Sequence, residues 1–268
     1  MVGVMEGGRE EGRKGVMEEG REWGGAGCWE FYQRQNVATM NPILQKIQNG
    51  IIISCQAEGD SPFNNPVDVA KFAKCAEMGG AAAIRTEGVE KAKAVRKMVG
   101  LPLIGLVKSE FEDGFVRITG SEKDVKDLID AGCDMVAIDG TFRWREGFTG
   151  PEFIRVMKEK YNVLIMADIA TFEEGLACAE GGADCLSTTL SGYTYDTARR
   201  RAPAPDIALV RRLSSHFSGQ VPVVAEGRYN TPGLARKAMK AGAWAVVAGT
   251  AVTRPQVITK WYYDAIRK

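Results

Sequence analysis

Four segments of this chain repeat one pattern. MGGAAAI (78–84), DAGCDMVAI (130–138), EGGADCLST (180–188) and KAGAWAVVAG (240–249) each close a helical stretch, pass through a glycine and enter an apolar strand. Gly80, Gly132, Gly182 and Gly242 hold the same place in each copy, roughly every 50–60 residues. One βα unit takes about 25–30 residues, so each copy marks a double unit, and four double units make eight. The fold predicted from this spacing is a (β/α)8 TIM barrel. An open doubly wound sheet also alternates strands and helices, but it does not account for four evenly placed copies.

The strands needed are present. Apolar runs at 51–57, 82–86, 103–107, 135–139, 163–168, 185–189, 221–225 and 244–248 alternate with helical patterns. They are apolar almost throughout, as strands covered on both faces should be. Residues 1–39 stand apart. Their first 27 positions are rich in Gly, Glu and Arg and hold too little apolar material to offset the entropy of ordering. We expect 1–39 to be a disordered extension, with residues 40–268 forming a single barrel domain.

In such a barrel, functional side chains gather where the strands end. Those ends carry Ser54-Cys55-Gln56, Arg85, Lys108, Asp139 with Thr141, Asp168, Thr188-Thr189 and Glu226. Taken singly, each has an ordinary explanation: a snorkelling lysine, a helix N-cap, a structural partner for Arg85. Taken together, they make an ionisable pocket. The turns Glu226-Gly227-Arg228 and Gly249-Thr250 follow the last two strands, where such barrels often hold a phosphate. Glycine permits close backbone approach, helix N-termini aim N–H groups at an anion, and Arg228 and Arg254 add charge-assisted donors. The same glycines could also serve only as tight turns.

Composition narrows the classes further. The net charge of +1 gives no support for a nucleic-acid surface. No apolar run reaches the ~18 residues of a membrane span, and the N-terminus lacks the apolar core of a secretory signal. The six cysteines (28, 55, 75, 133, 178, 185) form no CxxC pair and mostly lie in apolar patterns, which suits a reduced, cytoplasmic protein. One histidine, His216, rules out a His-rich metal site, and no nucleotide-binding fingerprint is present. A metal site built on carboxylates alone shows no recognisable pattern.

Eight motifs in register carry a family resemblance: SCQA (54–57), AIRTEG (83–88), IGLVK (104–108), AIDGT (137–141), MADIATFEEG (166–175), TTLSGYT (188–194), AEGRYNTP (225–232) and GTAVTRP (249–255). From about residue 40 to 268 the chain resembles the N-acetylmannosamine-6-phosphate 2-epimerases. The resemblance implies a barrel of the ribulose-phosphate-binding type. It implies a cofactor-independent isomerase that interconverts N-acetylmannosamine 6-phosphate and N-acetylglucosamine 6-phosphate in sialic acid use. By motif position, Lys108 matches the family's acid/base lysine and Glu226 its catalytic glutamate. Gln56, Arg85, Asp139 and Thr194 fall at sugar-contacting positions. Gly227, Arg228, Gly249, Thr250 and Arg254 fall at the phosphate. The resemblance also implies a homodimer built partly on the last helix, whose Trp261, Tyr262 and Tyr263 are the kind of residue interfaces favour.

The chemistry agrees with this list. Inverting C2 of an open-chain 2-acetamido sugar breaks a C–H bond next to the C1 carbonyl and needs a base but no redox cofactor. A lysine serves as base where apolar surroundings or a neighbouring cation favour the neutral amine. Leu106 and Val107, with Arg85 or Arg228, are placed to do that for Lys108. Lys108 and Glu226 could serve opposite faces of C2, or Lys108 could act alone with a substrate hydroxyl relaying the proton. Two rivals remain: a Schiff-base aldolase with Lys108 as nucleophile, and a non-catalytic phosphosugar-binding barrel, which gives the Lys–Glu pair no role.

Overall fold

The computed structural model describes residues 40–111, 115–198 and 204–267. The extension expected at 1–39 lies outside them.

The chain enters through a short helix, α1 (Pro42–Ile47), capped by Asn41. It then alternates β1 (Ile51–Cys55), α2 (Pro66–Met78), β2 (Ala83–Glu87), α3 (Val89–Met98) and β3 (Leu103–Leu106). Two three-residue strands follow, β4 (Lys108–Glu110) and β5 (Val116–Ile118). Next come α4 (Glu122–Asp130), β6 (Met135–Asp139), α5 (Gly150–Lys160), β7 (Leu164–Asp168), α6 (Phe172–Glu180) and β8 (Cys185–Ser187). A 3-10 turn (Thr188–Leu190) and the short α7 (Tyr195–Ala198) precede α8 (Ile207–Phe217) and β9 (Val223–Ala225). The last elements are α9 (Pro232–Lys240), β10 (Ala245–Ala248), α10 (Thr250–Thr253) and α11 (Pro255–Ala265).

Among the described residues, eight parallel strands close in the order β1-β10-β9-β8-β7-β6-β3-β2, and β1 pairs β2 to complete the ring. The eight expected strands are these eight. Every residue of β6 and β7 is buried, which is why their sequences are unbroken apolar runs ending in Asp. The register sets Asp139 beside Asp168 and Ser54 beside Arg85. Strand-end side chains therefore meet at one rim.

The repeated glycines are helix stops. Gly80, Gly132, Gly182 and Gly242 have φ of 86°, 85°, 90° and 98°, in the left-handed region. The residue after each donates its N–H to the carbonyl five positions back: Ala81 to Ala76, Cys133 to Leu128, Ala183 to Cys178, Ala243 to Ala238. That is the Schellman closure, which satisfies carbonyls a helix end would leave unpaired. The helices also start alike. Asn65, Ser121, Thr171, Asp206 and Thr231 each cap the N–H three residues on. Each cap is worth about 1 kcal/mol.

One feature was not anticipated. β4 and β5 form an antiparallel hairpin between the third and fourth barrel strands, with Lys108 opposite Ile118. The expected third strand ran to Val107 with Lys108 at its end; it stops at Leu106. Lys108 opens the hairpin instead. Among the described residues, no helix is long and apolar enough to cross a membrane.

Candidate active site

A cavity of about 590 Å³ opens at the C-terminal ends of the strands. Its lining includes Gln56, Arg85, Lys108, Glu226, Gly227, Arg228, Gly249, Thr250 and Arg254. The structure thus brings together both residues expected to move protons and all five expected at the phosphate. Asp139 and Thr194 are not in that lining. Asp139 is fully buried and taken up by its own loop: Thr141 donates from N (3.0 Å) and Oγ1 (2.6 Å), Arg143 Nη2 from 2.6 Å and Arg145 Nη2 from 3.1 Å. Thr194 is buried, and its hydroxyl shares a hydrogen bond with Thr197 Oγ1 at 2.7 Å at the start of α7.

The floor of the cavity is a buried ion cluster. Arg85, 1% exposed, grips Asp168 with two bonds, Nη1–Oδ1 at 3.0 Å and Nη2–Oδ2 at 2.5 Å. Its Nη1 also lies 3.2 Å from Glu226 Oε2. Burial opposes the Arg85 charge, but the two carboxylates outweigh it and push its pKa up. Thr189 Oγ1 donates to Asp168 Oδ1 at 2.6 Å, and Ser187 Oγ to Glu226 Oε2 at 3.3 Å. Glu226 therefore shares one guanidinium with a second carboxylate. Burial raises its pKa, the Arg85 charge pulls back, Asp168 adds to the rise, and the net position is above the ordinary carboxyl value. A raised carboxyl pKa at a cavity wall moves toward the range where acid–base exchange is efficient.

Lys108 does not sit in the apolar setting expected of it. It is exposed, and its Nζ pairs with Glu58 Oε1. Arg254 Nη2 meets the other oxygen of Glu58 at 2.9 Å. The reason is the hairpin, which carries Lys108 off the barrel wall to the rim.

The two turns expected at the phosphate are shaped by backbone conformation. Gly227 and Arg228 have φ of 101° and 64°. For a non-glycine residue that conformation costs about 1–2 kcal/mol. Two hydrogen bonds hold Arg228 there, from Nε to Ala204 O (2.9 Å) and Nη1 to Ser191 O (3.1 Å), and its guanidinium stacks 5.2 Å from the Tyr193 ring centre. Gly249 packs under β1, where an added Cβ would lie 3.2 Å from Ser54 Cβ. α10 starts at Thr250, and the first N–H groups of a helix have no partner within it.

The model of the family described as "Putative N-acetylmannosamine-6-phosphate epimerase" matches residues 69–268. The chain belongs to this family. A relative from Caldanaerobacter subterraneus subsp. tengcongensis, "Putative N-acetylmannosamine-6-phosphate 2-epimerase", is 46% identical over 228 residues, 84% of this chain and 94% of its own. One of the same description from Escherichia coli O157:H7 is 46% identical over 226 residues, 84% of this chain and 95% of its own. Among solved structures, the N-acetylmannosamine-6-phosphate 2-epimerase from Clostridium perfringens is 37% identical with a TM-score of 0.77, over 85% of this chain and 97% of that one. A thiamine phosphate pyrophosphorylase from Pyrococcus furiosus, 20% identical with a TM-score of 0.56 over 81% of this chain and 93% of its own, shares the fold alone.

Sequence reasoning passed over Glu58, Tyr193 and Asn230, which also line the cavity. Glu58 had a signal. It lies one residue beyond SCQA, past the end of a barrel strand, where the strand-end rule used for the other residues applies equally. Tyr193 lies inside the TTLSGYT motif, next to Thr194, the position that the family resemblance singled out.

Proposed function

We propose that this chain interconverts N-acetyl-D-mannosamine 6-phosphate and N-acetyl-D-glucosamine 6-phosphate by taking a proton from C2 of the open-chain sugar and returning one to the other face. The observation that carries the proposal is that Lys108 and Glu226 share one cavity with Gly227, Arg228, Gly249, Thr250 and Arg254. Family membership names the substrate class, a phosphorylated N-acetyl amino sugar.

In this reading the Gly227–Arg228 and Gly249–Thr250 turns and Arg254 hold the 6-phosphate. Holding one end of a flexible sugar brings C2 to a fixed place between rim and floor. Lys108 exchanges the C2 proton. Glu226, on a floor that raises its proton affinity, serves the opposite face or orients the C1 oxygen. Gln56 and Arg85 face the sugar. Asp139 and Thr194 act behind the wall, through the loops they organise. Positioned acid–base help of this kind is worth about 10²–10⁴ in rate.

The same reading assigns catalysis to residues 40–268 as one domain. It gives a homodimer through α11, which has no buried residue and leaves Trp261, Tyr262 and Tyr263 38%, 72% and 46% exposed. It places the protein in the cytoplasm, where the free thiols of the five described cysteines stay reduced. Proton NMR of the purified chain with N-acetylmannosamine 6-phosphate tests the activity. The 2-epimer should grow in to equilibrium. Binding without turnover would favour a sensor, and borohydride trapping of sugar on Lys108 would favour an aldolase.

A further inference from the structure

We propose that Glu58 moderates the site's affinity for a phosphorylated ligand: its carboxylate pairs with Arg254, and the substrate's phosphate must displace it. This rests on the reading above, in which Arg254 takes the phosphate and Lys108 the proton.

The geometry is specific. Glu58 divides its two oxygens, Oε1 accepting from Lys108 Nζ and Oε2 from Arg254 Nη2 at 2.9 Å. The three residues come from three places in the chain and line the same cavity. One internal anion therefore sits between the cation assigned to the phosphate and the amine assigned to the proton. Burial alone would raise the Glu58 carboxyl, but the charges and hydrogen bonds of Lys108 and Arg254 outweigh it and hold its pKa below the usual value. It is an anion at neutral pH.

The pairs are also weak enough to break. The side chains of Glu58, Lys108 and Arg254 are 39%, 32% and 31% exposed, so water and salt screen them. The Glu58 loop is tied to itself, by Ser61 N to Glu58 O (3.3 Å) and Asn64 Nδ2 to Gly59 O (3.1 Å). The carboxylate can swing aside without moving a barrel strand. A phosphate dianion brings more charge and more acceptor oxygens than one carboxylate and wins Arg254. A sugar without phosphate offers Arg254 nothing in exchange and leaves the Glu58–Arg254 pair as it is. Glu58 therefore weakens binding of the phosphorylated ligand alone and narrows the difference in affinity between it and the bare sugar.

Calorimetric titration of the full chain with N-acetylmannosaminitol 6-phosphate tests this. The reduced sugar has no C1 carbonyl and cannot react. Glu58→Gln should bind it about two- to fivefold more tightly, the scale of half-exposed ion pairs. Arg254→Ala should bind it more weakly, and in that background Glu58→Gln should bring no gain. Unchanged or weaker binding by Glu58→Gln, with Arg254→Ala still weakened, overturns the competition and leaves the phosphate assignment standing. A gain that persists without Arg254 also overturns it. Unchanged binding by Arg254→Ala removes the phosphate assignment and this proposal with it.

Discussion

Asp168→Asn should cost the protein stability and change the acid–base behaviour of its floor. Arg85 is buried with two bonds to Asp168, at 3.0 and 2.5 Å, and one approach to Glu226 at 3.2 Å. Removing one partner of a buried ion pair costs about 3–5 kcal/mol, because the remaining charge is left in a poor solvent. An asparagine keeps one acceptor and Glu226 remains near, so the low end, about 3 kcal/mol, applies. In a chain of this size each kcal/mol moves Tm by about 2–4 °C, giving a fall of about 6–12 °C by scanning calorimetry near neutral pH. Arg85→Met should be worse, since it leaves Asp168 and Glu226 as neighbouring buried carboxylates with no cation. The catalytic consequence has a sign as well. Asp168 helps to raise the Glu226 carboxyl and Arg85 lowers it. Without the Asp168 charge, Arg85 acts on Glu226 alone, and any limb of the kcat/KM–pH profile that reports Glu226 should move to lower pH. A Tm change under 2 °C, or a limb that moves to higher pH, would refute the description of the floor as one shared charge cluster.

Three further outcomes are expected. Glu226 has a folded pKa above its unfolded value, so the stability linked to it is fully present below about pH 4.5 and is lost as pH rises through the folded pKa; Glu226→Gln should abolish that slope in a series of melts, and an unchanged slope would assign it to another group. A chain beginning at Met40 should fold and turn over like the full chain, and a Tm lower by several degrees would show that residues 1–39 contribute. Light scattering at micromolar concentration should give a dimer mass that Tyr262→Glu, on the exposed face of α11, reduces to a monomer; a monomer before substitution would remove that helix from any interface.

Much of this was legible in the chain. The four glycines give the barrel because a Schellman stop needs a left-handed residue at a fixed place after each helix, and glycine supplies it at least cost. The strands read clearly because both of their faces are covered. The cavity lining followed from the rule that strand ends share one mouth, and it held for Gln56, Arg85, Glu226 and the turns. It did not hold for Asp139, because Arg143 and Arg145 fold back from its own loop to claim it, a local choice that no periodicity reports. The β4–β5 hairpin was missed because three-residue strands are too short to show alternation. With it went the setting of Lys108: a strand-end lysine and a hairpin lysine look the same in sequence, and only the second reaches Glu58.

The central claim is that Lys108 exchanges the C2 proton. Deuterium incorporation at C2 of N-acetylmannosamine 6-phosphate in D₂O, followed by NMR, tests it most directly, because an ammonium exchanges with solvent far faster than typical turnover. The wild-type chain should place deuterium at C2. Lys108→Ala should place none while it still binds the phosphosugar, and Lys108→Arg should fail too, since a guanidinium stays protonated near neutral pH. Incorporation by Lys108→Ala at close to the wild-type rate would contradict the assignment and make Glu226 the first candidate for the base.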